Sequence, residues 1–60
     1  MEQSDIAIIR RLLLTERVMS MEYLTAYNDL AGKNHAQKLA SLLEGEMRNV
    51  KTLADILSQQ

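Results

Sequence analysis

The sequence predicts an all-α protein, one antiparallel helical hairpin that dimerises into a four-helix bundle. Three observations predict it. Strong helix formers (Leu, Ala, Glu, Lys, Arg, Met) dominate the 60 residues, and there is no proline. Apolar residues recur at helical spacing on both sides of a single break at Ala31-Gly32-Lys33-Asn34. The chain is also too short to enclose a core by itself: below about 70–80 residues one core seldom supplies more than ~3–5 kcal/mol. With no cysteine there is neither a disulfide nor a thiolate metal site, so association between chains is the remaining source of stability.

The first helix is expected over about residues 4–31. Ser4 is placed as its N-cap and Asp5 in its first turn, where the helix dipole favours an anion. Gly32 and Lys33 form the turn, with Gly32 suited to the left-handed conformation that ends a helix. The second helix is expected over about residues 34–58. Asn34 is its natural N-cap, and Gln37 three residues on completes a capping-box pattern. It should fray at Ser58, Gln59 and Gln60. Helices of roughly 40 Å joined by so short a connection lie antiparallel. Gly45 interrupts the second helix, read as a tolerated weak spot or, with Ser41 beside it, as a place where another helix approaches closely.

On a wheel of 100° steps the first helix has an apolar arc of Ile6, Ile8, Ile9, Leu12, Leu13, Met19, Tyr23, Leu24, Ala26, Tyr27, Leu30 and Ala31. The arc of the second holds Ala36, Leu39, Ala40, Leu42, Leu43, Met47, Val50, Leu53, Ala54 and Leu57. A second stripe on the first helix, Ala7, Leu14, Val18 and Met21, faces the other way, and a hairpin alone would leave it wet. The expected interface residues are therefore Ile9, Leu13, Leu14, Val18, Met21, Tyr23, Tyr27, Leu43, Met47, Val50 and Leu53.

Two carboxylates fall inside these arcs, Glu16 with Ser20 at the centre of the first and Glu46 in the second, and Asn49 lies at an edge. In the hairpin, residue i is level with about residue 65 − i, so Glu16 comes level with Asn49 and Glu46 with Met19. A buried carboxylate is costly unless it is paired, protonated or metal-bound. One reading has Glu16 held by Asn49, Ser20, a tyrosine hydroxyl or Arg48, with the polar residues fixing register. A second makes Glu16, Glu46 and Asn49 a carboxylate metal site between helices, and a third shifts the helical phase so that one of the two glutamates lies at the solvent edge.

Several function classes find no support. Seven basic and eight acidic residues, interspersed to a net charge of −1, give no pull towards nucleic acid or an acidic membrane surface. No apolar run approaches a membrane span. Residues Met1 to Asp5 lack the features of a secretory leader, and the chain reads as soluble and cytoplasmic. Gly32-Lys33 lacks the upstream glycine of a phosphate-binding loop. The single histidine, His35, lies at the turn, so no catalytic triad can be assembled and no catalytic residue is expected.

The stretch Leu13-Leu14-Thr15-Glu16-Arg17, followed by Met19, Tyr23, Thr25 and Ala26, resembles the first helix of the spore coat protein F-like family, which belongs to the ferritin-like helical bundles. Leu42-Leu43-Glu44-Gly45-Glu46-Met47-Arg48-Asn49 is similar to the start of its next helix, where Glu-x-x-His is common. The resemblance covers roughly residues 12–50. It matches Glu16 to the lone Glu of the ferritin-like pattern and Glu46 to the Glu of Glu-x-x-His, with Asn49 where the His would stand. An amide is a far weaker ligand than imidazole for Fe, Mn or Zn. The resemblance thus implies a half-bundle whose metal site is lost or altered, and a structural or accessory role associated with spores.

The leading expectation is a non-enzymatic protein that acts through assembly as a homodimer, with no cofactor. The alternatives are a ferritin-like bundle holding Fe or Mn on Glu16, Glu46 and Asn49, and a regulatory hairpin that docks a helix of a partner protein.

Overall fold

The computed structural model describes residues 1–59, and two helices account for nearly all of them: α1, Gln3–Asp29, and α2, Ala36–Ser58. They pack against each other along their length as an antiparallel hairpin whose Cα envelope is 46 × 14 × 11 Å. Both narrow dimensions are those of two helices lying side by side. Among the described residues no helix is long and apolar enough to cross a membrane.

The helix ends depart from the expected caps. The N-cap of α1 is Glu2, not Ser4, and no side chain caps it. Nothing in Glu2 or Gln3 opposes the helix, and the chain gains the Ile6 N–H to Glu2 carbonyl bond (3.0 Å) in place of a serine cap. Asp5 does sit in the first turn. At the other end α1 stops at Asp29, with Leu30 as C-cap and no basic residue in its last turn. An aspartate there opposes the helix dipole, which accounts for a helix shorter than the apolar pattern allows.

The reversal takes residues 30–35 rather than Gly32 and Lys33 alone. Gly32 is left-handed as expected (φ 79°), but it lies two residues beyond the C-cap. A second left-handed residue, His35 (φ 77°), completes the turn and is the N-cap of α2, again without a side-chain cap. The capping box of Asn34 and Gln37 does not form, because a cap must immediately precede its helix in an extended conformation. The last turn of α2 ends at Ser58. Of the three residues expected to fray, Gln60 lies outside the described residues.

Buried and half-buried positions alternate in steps of three and four, the spacing that keeps one helix facing another. Ile6, Ile9 and Leu13 on α1, with Val50, Leu53 and Leu57 on α2, are buried or half-buried towards the open end of the hairpin, and Tyr23, Tyr27 and Leu30 with Ala36, Leu39 and Leu43 are half-buried towards the turn. Between these apolar ends the seam is polar, carrying Glu16, Ser20 and Glu46. Leu13, 9% exposed, is the one buried side chain among the described residues.

Gly45 faces open space, since a Cβ built there meets nothing within 4 Å. Within one hairpin, therefore, no close approach requires this glycine. Gly45→Ala is expected to raise stability by about 1 kcal/mol, seen as a higher urea midpoint. A lower midpoint would mean that a helix of another chain packs against this backbone.

Candidate functional site

Among the described residues, the polar centre of the seam holds two carboxylates with an oxygen kept from water. Glu16 enters it because it is three residues beyond Leu13 and four before Ser20, on the face of α1 that meets α2. Glu46 enters it in the same way, between Leu43 and Val50. Both residues are half-buried, and the Oε2 atom of each is out of contact with solvent without a hydrogen-bond partner among the described residues. Native structures leave few such atoms, and each calls for a physical reason.

Ser20 does not supply the missing donor. Its hydroxyl donates to the Glu16 main-chain carbonyl at 2.9 Å, one turn back. Thr15 and Ser41 bond in the same way to the carbonyls of Arg11 (3.0 Å) and Gln37 (3.3 Å). Arg48 and Asn49 are exposed, and the ion pair found among the described residues, Lys51 with Asp55 at 3.4 Å, lies on the solvent face of α2. Of the partners anticipated for Glu16, then, none holds its Oε2 in the isolated hairpin.

Glu16 and Asn49 do come together. With Leu12, Thr52 and Leu53 they line a groove of about 220 Å³ on one flank of the seam. Glu46 lies between Leu42 and Asn49 on the same face of α2, four residues after one and three before the other. One chain therefore offers two carboxylates and an amide along this flank. Among the described residues no three His, Cys, Asp or Glu side chains gather closely enough to hold a metal ion. A complete ligand set would need a second chain.

The opposite flank is apolar. Ser20, Met21, Leu24, Leu43 and Met47 line a depression of about 250 Å³, which adjoins another of about 330 Å³ lined by Arg17, Ser20, Met21, Met47 and Val50. Sequence reasoning separated its two walls, placing Met47 in the seam of α2 and Met21 in a stripe facing away from it. The signal was present in the spacing, because Met21 is one residue past Ser20 and Met47 one past Glu46, so both border the seam on the same side.

The expected interface residues divide accordingly. Ile9, Leu13, Tyr23, Tyr27, Leu43, Val50 and Leu53 are spent at least in part on the contact within the hairpin. Leu14 (63%), Val18 (51%), Met21 (71%) and Met47 (58%) remain exposed. Ile8, Leu12, Met19, Leu24 and Leu42, drawn from the expected arcs, are exposed too. At the turn His35 lines an open pocket with Tyr27, Gly32, Lys33, Ala36, Gln37 and Lys38.

No family model, no curated protein and no solved structure matches this chain.

Proposed function

We propose that the chain is a non-enzymatic structural or assembly protein whose working form is a homodimer, two hairpins paired as an antiparallel four-helix bundle. One observation carries the reading: Leu13 alone is buried, while ten large apolar side chains of the described residues are exposed. A soluble monomer scatters such residues singly. Here Leu12, Met19 and Leu42 follow one flank of the seam, and Met21, Leu24 and Met47 the other. The resemblance of residues 12–50 to the spore coat protein F-like family supports a coat or accessory role for the assembled form.

Sedimentation equilibrium on protein purified with a chelator tests the proposal. The expected result is a dimer whose dissociation lowers the helix signal as concentration falls. A well-folded monomer in dilute solution would sink the reading.

A second reading is favoured by the orphaned Oε2 atoms of Glu16 and Glu46. Pooled across two chains, these carboxylates with Asn49 form an oxygen-rich donor set suited to Mn or Fe in the ferritin-like manner. In that case protein purified without chelator retains a transition metal, and Mn(II) or Fe(II) raises its melting temperature. Absence of both effects removes the metal reading and leaves the first intact.

A further inference from the structure

We propose that a second copy of the chain docks on the Met21, Leu24 and Met47 flank, and that the flank bearing Glu16 and Glu46 stays open to water in the dimer. The inference rests on the assembly reading and names its surface.

The first argument is area. The hairpin exposes 4797 Å². A compact monomer of 6.8 kDa exposes roughly 3,950 Å² on the usual size scaling, so the excess is roughly 800 Å². A standard interface covers about 800 Å² on each partner. The surplus is the size of the area that one docked copy would cover.

The second argument is what each flank would lose with its water. Docking over Leu12 and Leu42 would also cover the groove through which Glu16 reaches solvent, and Glu46 shares that face. Both already carry one oxygen without a partner. Two copies would place four carboxylates in one interface with no cation opposite, at a penalty that desolvated charges recover only when well paired. The other flank has no such obstacle. Its depressions are walled by the methionine side chains over a floor of Ser20, Leu43 and Val50, and the charged residue lining them is Arg17, whose long stem can lie over apolar surface while its head stays wet. Leu14, seven residues before Met21, extends the same wall along α1. Methionine is unbranched and adapts its shape, which suits a contact between two identical surfaces.

The four methionines test this without mutation, because Met21 and Met47 lie on the proposed flank, Met19 on the other side of α1, and Met1 at the terminus. In the isolated hairpin Met21 (71%) and Met47 (58%) are more exposed than Met19 (39%), so a monomer would oxidise them faster. The unmodified protein is treated briefly with hydrogen peroxide at a concentration where sedimentation shows it associated, and sulfoxide is mapped by mass spectrometry against urea-unfolded protein. Met21 and Met47 are expected to react roughly tenfold more slowly than in the unfolded reference, and Met19 within about twofold of it. A dimer in which Met19 is the protected residue, or in which Met21 and Met47 react as fast as when unfolded, overturns the inference alone. A monomer overturns the assembly reading and the inference with it.

Discussion

Leu13→Ala is expected to abolish most of the helical circular dichroism signal at micromolar concentration. In packed cores a leucine-to-alanine change costs 2–5 kcal/mol, the larger values where the site cannot collapse around the lost atoms. Leu13 is the one buried side chain among the described residues, on the face of α1 that packs against α2. A hairpin of this size has only about 3–5 kcal/mol to lose. Removing three carbons there therefore takes most of the reserve, whereas the same loss in a large domain would only lower its melting temperature. Ile8→Ala is the comparison: Ile8 is 56% exposed, and its truncation is expected to change stability by no more than about 0.5 kcal/mol. Urea unfolding of both variants, at matched concentrations, measures the difference. Equal midpoints would show that the Leu13 layer is not what holds the helices together.

The legible part of the fold was the part written in periodicity. Steps of three and four placed Leu13, Tyr27, Leu43 and Val50 on facing surfaces, and the position of the turn put Glu16 and Asn49 near the same stretch of the seam, where both line one groove. The turn itself was less legible. Gly32 announced a left-handed residue, whereas His35, the second one, is of a type that takes that conformation only occasionally and so gave no comparable signal. The anticipated caps at Ser4 and Asn34 failed for a related reason: a capping side chain adds about 1 kcal/mol, too little to outweigh an extra helical bond at one end or the path of the turn at the other. At the site the two carboxylates were legible from phase alone. That each keeps an oxygen without a partner was not, because it depends on where Ser20, Asn49 and Arg48 direct their side chains, and spacing does not fix rotamers.

Replacing both carboxylates, Glu16→Leu with Glu46→Leu, is expected to stabilise the chain and to change how it assembles. Each Oε2 atom has given up water without gaining a donor, an unmet polar contact that a leucine of similar reach does not carry. Exchanging buried ionic groups for well-packed apolar ones is worth about 1–4 kcal/mol in favourable cases. For a domain of this size 1 kcal/mol moves the midpoint by about 4–8 °C, so a rise on the order of 10 °C is expected in thermal melts. The same change would leave Leu12, Met19 and Leu42 on a largely apolar flank broken only by polar Asn49 and Thr52, and sedimentation should then show larger species than the parent forms. The carboxylates on this view limit association: they weaken the hairpin slightly and keep one of its two sticky flanks wet. The metal reading requires the opposite result, with the double variant losing any melting-temperature increase produced by Mn(II) or Fe(II), since a ligand that binds only the folded form stabilises it by mass action. A variant that melts lower than the parent in the presence of chelator would contradict both readings, because it would mean that Glu16 or Glu46 makes a favourable polar contact in the assembled protein that the single hairpin lacks.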